Sequence, residues 1–217
     1  MSHVRRRRVS WRETEWRVVD VETTGLDRSV DEAISYAVVP IRDGRIASGE
    51  HTSGLVRPQR RPSPESVRVH GLRAVDLEGA PTPEEVGPRL VDALTGGVLV
   101  AHFAVVERTF LGPILAGAGM RFPRQVADTE VLGRLWLIGR GQPVPPVLGL
   151  SALAAELGLP AHRPHDALGD ALTTAQSFLA LASHLEADGP VTTASLLGAG
   201  RRLADLRRYG LVPPRSG

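Results

Sequence analysis

Apolar residues change their spacing along this chain, from the short period of β-strands to the period of about 3.6 residues that is typical of helices. Three apolar stretches with strand character come first, at Arg17 to Val21, Ala33 to Ile41 and Arg45 to Val56. Asp43-Gly44 separates the last two and favours a tight hairpin turn. The first part of the chain is therefore predicted to form an antiparallel meander.

Helical spacing dominates the remainder, broken by two short apolar runs. Helices are predicted at Pro83 to Leu94, capped by Thr82, and at Ala104 to Ala118. A further helix is predicted to begin after Ser151 as its cap, and a long helix to run from a capping Asp166 to about Leu185. The last predicted helix runs from Ala194 to Tyr209 and ends at Gly210. Short strands are predicted at Val98 to Ala101 and Gln125 to Asp128. Pro-rich surface loops are predicted at Arg57 to Glu65 and at Gly139 to Gly149, and the second loop is expected to be mobile. This order predicts an α/β fold with a mixed five-stranded sheet, three antiparallel strands followed by parallel additions, flanked by helices.

Length and composition limit the number of domains and the kinds of site that this chain can have. The 217 residues suit one domain with a sizeable core, and we expect a basic N-terminal tail over residues 1–15, a main domain over 16–186 and an appended C-terminal helix and tail over 187–217. The absence of cysteine excludes disulfides and thiolate-held metals. No apolar run is long enough to span a membrane and no secretory signal precedes the first strand. A cytoplasmic protein without a membrane partner is therefore predicted.

All 26 basic residues are arginine and they face 24 acids, which leaves a formal net charge of only +2. That balance alone does not identify a nucleic-acid-binding protein. The arginines are clustered, however, at Arg5 to Arg8, at Arg57, Arg60 and Arg61, and at Arg201, Arg202, Arg207 and Arg208. Each cluster could neutralise phosphates or could simply be a solvated surface.

Two carboxylates stand at the end of the first predicted strand. Asp20 and Glu22 are two residues apart, so their side chains point to the same side of the strand. Two like charges that close repel each other unless a cation lies between them, and oxygen ligands suit Mg²⁺ or Mn²⁺ better than Zn²⁺. The pair therefore predicts a divalent metal site, although two acids at an exposed strand end would give the same pattern.

Further chemistry-bearing residues follow on the predicted helices. Glu107 shares an apolar helical stripe with Phe103 and Phe110, and because burial of an acid is costly without a counter-charge, it indicates either a metal ligand or a buried ion pair with an arginine. Asp170 falls in the first turn of the predicted long helix, and His165 stands just before that helix. A neutral histidine there could accept a proton from water, as a general base does.

Three segments together resemble the motifs of a known enzyme family. They are VVDVETTGLD at Val18 to Asp27, LVAHFAVVERTFL at Leu99 to Leu111 and HRPHDALGDALTTA at His162 to Ala175. In this order and spacing they resemble the three exonuclease motifs of the DnaQ-like, or DEDDh, 3′ to 5′ exonucleases of the ribonuclease-H-like superfamily. The shorter segments Val69-His70-Gly71-Leu72 and Val126-Ala127-Asp128-Thr129 also resemble this family, so the resemblance extends over residues 16 to 186.

The resemblance implies a metal-dependent nuclease that releases nucleoside 5′-monophosphates from a 3′ end. It also implies a role for each residue that matches a motif. Asp20 would bridge two divalent ions, Mg²⁺ or Mn²⁺, while Glu22 and Asp170 complete the shell of the first ion. Glu107 would help to hold the second ion, and His165 would activate the attacking water.

The resemblance further implies which residues contact the terminal nucleotide. The implied contacts are the backbone of Thr23, Thr24 and Gly25, the side chain of Leu26 against the base, and His70. Phe103 is a further candidate contact, although it departs from the family pattern. DNA, single-stranded or frayed at its 3′ end, is expected rather than RNA, because the strand meander and the His70 segment resemble polymerase-associated proofreading domains. A role in proofreading or DNA repair, with a DNA polymerase as a candidate partner, follows from the same resemblance.

The middle motif departs from the family pattern. Phe103 stands where the family usually has asparagine, Val106 where it has phenylalanine, and Glu107 where it has aspartate. The longer acid can still reach a metal, but the second ion would be held less tightly. Phe103 could stack on a base, as aromatic residues do in single-strand sites, or pack in the core.

Two other functions remain compatible with these residues. An exoribonuclease of the same superfamily would share the motifs, because nothing in the sequence reads a 2′-hydroxyl group. A catalytically weak nucleic-acid-binding or polymerase-accessory module is favoured by the altered middle motif. The acid at every motif position and the presence of His165 argue against this second alternative.

Overall fold

A mixed β-sheet with helices packed on both faces makes up the described part of the protein, residues 9–160 and 162–208 of a computed structural model. Its strands are β1 (Trp16–Thr23), β2 (Ala33–Arg42), β3 (Arg45–Ile46), β4 (Thr52–Leu55), β5 (Val98–Ala101) and β6 (Ala127–Asp128). The order across the sheet is β3-β2-β1-β5-β6, and β4 also pairs with β2. β1 runs antiparallel to β2 and parallel to β5, which is parallel to β6. The predicted α/β class, with a meander followed by parallel additions, is confirmed.

Helices cover the two faces of the sheet. They are α1 (Pro64–His70), α2 (Ala74–Leu77), α3 (Pro83–Leu94), α4 (Val105–Gly117), α5 (Thr129–Gly139), α6 (Leu150–Glu156), α7 (Ala167–Ala187), α8 (Thr193–Leu197) and α9 (Ala199–Arg208), with 3₁₀ turns at Trp11–Glu13 and Ser48–Glu50. α3 and α4 pack on one face, and α5 to α9 pack on the other. Within the described ranges, every helix is too short or too polar to cross a lipid bilayer.

Alternation along β1 divides the core into two halves. Val18 packs in the half that contains Phe178 of α7, whereas Val19 and Val21 pack in the half formed by α3 and α4. β1 lies between β2 and β5, so both of its faces are covered and almost all of its residues are buried. Asp20 and Glu22 share the side of Val18 and therefore lie on the side of the sheet covered by α7.

Several predicted boundaries are wrong. The stretch Arg45 to Val56 is not one strand, because the 3₁₀ turn Ser48–Glu50, built on a turn-forming Ser-Gly pair, separates β3 from β4. The sheet therefore has six strands rather than five among the described residues. The predicted loop from Arg57 ends at Ser63, which caps α1, and α2 and α5 were also absent from the prediction.

The caps of the C-terminal helices differ from the prediction as well. Ser151 does not cap α6, which begins at Leu150 with Gly149 as its N-cap residue. Asp166 is the N-cap residue of α7, but its side chain makes no capping hydrogen bond. The predicted last helix is interrupted at Gly198, a residue with low helix propensity, and continues as α9. The predicted helix end at Tyr209 and Gly210, like the Arg5 to Arg8 cluster, lies outside the described residues.

Residues 9–15, expected to end a basic tail, pack against the main domain instead. Trp11 is 1% exposed and its indole N–H donates to Glu186 of α7 at 3.0 Å. The backbone N–H of Thr193 donates to the Val9 carbonyl, which ties this segment to the start of α8. Burial of a tryptophan ring removes a large apolar surface from water, so the segment belongs to the folded unit.

Phe178 joins the helix that carries Asp170 to the strand that carries Asp20. Its ring lies edge-on to Trp16 and Trp11, with centroid distances of 4.7 and 6.3 Å. We expect Phe178→Ala to lower the free energy of unfolding by about 3–5 kcal/mol, because it leaves a cavity in a fully buried cluster. Urea unfolding followed by circular dichroism measures the change. Val147→Ala, at a position that is 67% exposed, should change it by less than about 0.5 kcal/mol, and equal losses in the two variants would contradict this packing.

Candidate functional site

Three carboxylates meet where the end of β1 approaches the start of α7. Ligand oxygens of Asp20, Glu22 and Asp170 all lie within 4.8 Å of one another. β1 directs the first two to the side covered by α7, and Asp170 is in the first turn of that helix. The structure thus brings three of the four predicted metal ligands into one cluster, hereafter the carboxylate cluster.

Glu107 approaches the carboxylate cluster from α4, on a different element. It is 2% exposed, and its Oε2 atom is buried without a hydrogen-bond partner. Burial raises the pKa of Asp20 well above its usual range, and the neighbouring carboxylate of Glu107 raises it further. A buried ion pair between Glu107 and an arginine, the alternative from the sequence, does not occur among the described residues.

The site concentrates negative charge without a protein counter-charge. Burial, together with the charges of Asp170 and Asp166, raises the pKa of Glu22 to about 7. Burial and the charge of Asp128 raise the pKa of Glu107 well above its usual range. In the part of the chain that the structure describes, none of the four acids forms an ion pair. The carboxylate oxygens converge, and the buried Oε2 atom of Glu107 has no hydrogen-bond partner. Such a set of oxygen donors fits a hard divalent cation.

His165 lies at the edge of the carboxylate cluster. It is exposed, its φ is +59°, and its backbone N–H donates to Oδ2 of Asp170 at 3.0 Å. Gly169 lets this loop lie against α7, because a Cβ atom there would stand 2.3 Å from the Arg163 carbonyl oxygen. Burial lowers the pKa of His70, and the nearby His165 lowers it further. Both predicted histidines are therefore close to the same site.

A cavity of about 400 Å³ adjoins the carboxylate cluster between β1 and α1. Its lining includes Glu22, Thr23, Gly25, Leu26, Ser66, Val69 and His70. The side chains of Leu26 and Val69 are 85% and 52% exposed, and because both line this cavity they give it a shared apolar surface. Glu22 belongs to the carboxylate cluster and to this cavity, so a molecule in the cavity would lie beside the acids.

The loop after β1 is held by a side chain that the sequence analysis did not single out. The buried hydroxyl of Thr24 donates to Oδ1 of Asp31 at 2.8 Å. A Cβ atom at position 25 would stand 2.4 Å from Oδ2 of Asp31, so a larger residue there would displace this carboxylate. The Thr23 hydroxyl donates to the carbonyl of Gly25 at 2.7 Å. The backbone of Thr24 is also used within the protein, because its N–H donates to the Glu32 carbonyl and its carbonyl accepts the N–H of Ser63. The predicted contact of this backbone with a nucleotide stays a prediction.

His70 supports the same loop through a chain of hydrogen bonds. Its Nδ1 accepts the backbone N–H of Leu72 at 3.0 Å, so the ring proton is on Nε2, 3.0 Å from the hydroxyl oxygen of Ser66. The Ser66 hydroxyl donates to the carbonyl of Thr24 at 2.9 Å. Because both ring nitrogens are used within the protein, His70 offers the cavity its ring surface rather than a hydrogen bond.

Phe103 lies on the turn that leads into α4. It is half-buried, has φ +62°, and belongs to neither core cluster. Its ring meets His102 edge-on at 4.8 Å. Asp128, for which the sequence analysis assigned no role, accepts the backbone N–H groups of Phe103 and Ala104. The signal for Asp128 was present, because an Asp-Thr-Glu run before an apolar stretch is typical of a helix N-terminus.

Two arginine clusters lie on the described surface. Arg57, Arg60 and Arg61 are exposed on a loop whose backbone is fixed by the carboxylate of Glu32, which accepts the N–H of Arg60 at 2.8 Å. Ser63, at the end of that loop, donates its N–H to the Thr24 carbonyl, so the loop adjoins the cavity. Arg201, Arg202 and Arg208 are exposed on α9, and the side chain of Arg207 lies outside the described residues.

Comparison with known proteins places these features in a family. A family model described as Exonuclease (RNase_T) matches residues 18–178. The chain is 36% identical over 194 residues to a DNA polymerase III subunit epsilon-like protein of Rhodobacter capsulatus and 37% identical over 163 residues to a PolC-type DNA polymerase III of Thermotoga petrophila. These matches cover 88% and 75% of this chain but span only 27% and 11% of the relatives. The DNA polymerase III subunit epsilon of Aquifex aeolicus is 28% identical, with 77% of this chain and 80% of that protein covered.

Solved structures agree with this family. Exonuclease X, in complex with 5′-overhanging duplex DNA, has a TM-score of 0.63 and 26% identity, and the match covers 84% of this chain and 99% of that one. The nuclease domain of 3′hExo, a DEDDh family member bound to rAMP, has a TM-score of 0.63 at 18% identity, over 79% of this chain and 92% of that one, and so supports the fold alone. The resemblance drawn from the motifs, and the ribonuclease-H-like fold, are confirmed.

Ionisation of Glu22 should destabilise the protein when no metal is bound. Its pKa rises from 4.5 to about 7 on folding, so the folded state binds more protons in this window and stability falls as the pH rises through it. Glu22→Gln is expected to stabilise the protein in EDTA by on the order of 2–3 kcal/mol at pH 8 and to have little effect at pH 4. Urea unfolding at the two pH values measures this.

Glu156→Gln, at an exposed position of α6, is the control for the loss of a charge. It should give no gain that depends on pH. A Glu22→Gln effect of equal size at pH 4 and pH 8 would rule out the electrostatic origin.

Proposed function

Because this chain belongs to the exonuclease (RNase_T) family and is a nuclease of the DnaQ-like, DEDDh type, we propose that it removes nucleotides from the 3′ end of DNA by a two-metal mechanism. The observation that carries this proposal is the convergence of Asp20, Glu22 and Asp170, with buried Glu107 beside Asp20. The product of such cleavage is a nucleoside 5′-monophosphate.

Members of this family use divalent metal ions, and the carboxylate cluster is the place for them in this chain. The chemistry that bound Mg²⁺ or Mn²⁺ supplies is activation of water and neutralisation of charge on the phosphate and the leaving oxygen. The charges of Glu107, Asp170 and Glu22 all raise the pKa of Asp20, so Asp20 is close to each of these acids. We therefore assign Asp20 to both cations, Glu22 and Asp170 to the first, and Glu107 to the second.

His165 is the proposed general base. Its exposed imidazole stands next to the acids, since the backbone of the same residue is bonded to Asp170. An imidazole in that position can accept a proton from the attacking water and pass it to solvent. Asp170 thus acts twice, as a ligand and as the acceptor that fixes the loop bearing the base.

The cavity beside Glu22 is the proposed binding site for the terminal nucleotide. Its volume of about 400 Å³ is within the range of small-molecule sites. Leu26 and Val69 supply an apolar surface for a base, and Thr23 and Gly25 line the same cavity. With the base held there, the scissile phosphate lies at the carboxylate cluster, because Glu22 borders both. Phe103, free of the core, is proposed to contact the substrate on the opposite side of the acids.

DNA is the proposed substrate class, and a DNA polymerase is the proposed partner. The relatives named above are subunits or forms of DNA polymerase III, and Exonuclease X was solved with duplex DNA. The exposed arginines of the Arg57–Arg61 loop adjoin the cavity and can neutralise phosphates of a bound strand. Membership of an enzyme family, together with acids at every motif position, argues against a purely accessory module.

Loss of a ligand or of the base should abolish trimming. We expect Asp20→Asn to remove detectable activity and His165→Ala to lower kcat by about 10²–10⁴-fold. The measurement is the release of labelled mononucleotide from a 3′-labelled oligonucleotide with Mg²⁺ or Mn²⁺. His184→Ala, in a histidine that stacks on Trp136 of α5, is the control and should retain normal rates. Near-normal rates in either site variant would refute the assignment.

Substrate class is tested by direct competition. With single-stranded DNA and RNA of equal sequence and label, we expect a higher kcat/KM for DNA, because the relatives named above are subunits or forms of DNA polymerase III. Mismatched and matched duplex ends, compared in the same assay, report the need for a frayed end. A higher kcat/KM for RNA would replace the DNA proposal with the exoribonuclease alternative.

A further inference from the structure

One carboxylate connects the elements on either side of the acids. Asp128, the N-cap residue of α5, accepts the backbone N–H of Glu130 in its own helix at 3.0 Å. It also accepts the N–H groups of Phe103 and Ala104, at 3.2 and 3.0 Å, from the distant turn before α4. Capping α5 needs only the first of these bonds. The other two hold the turn that leads into α4.

The turn that Asp128 holds is strained. Phe103 has φ +62°, in the left-handed region that large side chains rarely adopt. Ala104 follows in a right-handed helical conformation, with φ −46° and ψ −14°. Successive left-handed and right-handed residues direct their N–H groups into one concave nest that binds an anion. Such strain persists only where neighbouring contacts fix it, and the carboxylate of Asp128 is that contact.

The position of Glu107 depends on this turn. Glu107 is the third residue of α4, and α4 begins without a side-chain cap of its own. No described arginine pairs with the Glu107 carboxylate, and its Oε2 atom has no hydrogen-bond partner. The direction of the first helical turn, set at Phe103 and Ala104, therefore decides where this carboxylate lies.

We propose that Asp128 is a positioning residue that places Glu107 beside Asp20 by holding the strained turn at Phe103 and Ala104. The proposal rests on the proposed function in one respect, because it takes Glu107 to be a ligand of a divalent cation. Asp128 itself touches neither substrate nor cation in this account. A residue that merely capped α5 would stabilise the helix without influencing the cation.

Manganese binding and thermal unfolding of the full chain separate the two roles of Asp128. In Asp128→Asn, an amide group replaces one acceptor oxygen, so one N–H of the turn loses its partner. We expect the Mn²⁺ affinity of the weaker site, measured by isothermal titration calorimetry, to fall by about tenfold or more. Thr82→Ala, which removes the cap of α3, is the matched control. It should lower the unfolding midpoint and leave Mn²⁺ affinity unchanged.

Relief of the strain supplies a rescue that a capping role does not predict. Asparagine adopts a left-handed backbone more readily than phenylalanine. Phe103→Asn should therefore let the turn form even when Asp128 no longer accepts both of its N–H groups. The double variant with Asp128→Asn is expected to regain most of the lost Mn²⁺ affinity. Unchanged affinity in Asp128→Asn, or a loss that persists in the double variant, would overturn the proposal. Asp128→Ser, which can still cap α5, supplies the same comparison if the asparagine variant does not fold.

Failure of the proposed function would give a different result. Glu107→Gln tests the shared premise, because it removes the ligand while keeping its shape. If this variant binds Mn²⁺ as tightly as the wild type, the positioning proposal fails, and the trimming assay on the wild type still decides the function. If Glu107→Gln and Asp128→Asn both weaken Mn²⁺ binding in a protein that trims nothing, the positioning role holds and the proposed function fails.

Discussion

Repulsion among carboxylates that share a partly desolvated space is the constraint on which this structure depends. Asp20 and Glu22 on β1, Glu107 on α4 and Asp170 on α7 come from three separate elements. Each is held near the others although burial and like charge raise their pKa values. The apolar packing on both faces of β1 supplies the free energy that keeps these elements together. The core thus sustains an arrangement whose repulsion is relieved by protonation at low pH and would be relieved by a bound cation.

Polar contacts to the backbone complete what the core begins. Acids outside the carboxylate cluster, namely Asp31, Glu32 and Asp128, accept N–H groups of loops rather than salt bridges from arginines. Each therefore fixes a segment that has no regular hydrogen-bond ladder. These segments are the loop after β1, the Arg57–Arg61 loop and the turn before α4. The loops of this site are consequently positioned by individual side chains and are sensitive to single substitutions.

The sequence predicted the parts of this site that follow from periodicity and motif order. A period of two placed Asp20 and Glu22 on one side of β1, and the helical stripe placed Glu107 among buried residues, as observed. The sequence analysis did not single out Asp31, which accepts the Thr24 hydroxyl and the Asp27 N–H within one irregular loop. For Asp128 the sequence signals only the helix cap, because its bonds to Phe103 and Ala104 join residues 25 and 24 positions apart and leave no local pattern. The single strand predicted at Arg45 to Val56 was wrong because a local turn at Ser48–Glu50 divides it. The alternation of apolar and polar residues in this stretch was too weak to indicate a continuous strand.

Glu22 borders the carboxylate cluster and the neighbouring cavity alike. Any molecule that changes the charge state or orientation of this one side chain changes the free energy of occupancy on both sides. Thermodynamic reciprocity then requires that, if a cation raises the affinity for a nucleotide by some factor, the nucleotide raises the affinity for the cation by the same factor. A cation at the acids and a mononucleotide in the cavity, the ligands proposed above, would therefore be coupled, and each would change the affinity of the other by the same factor.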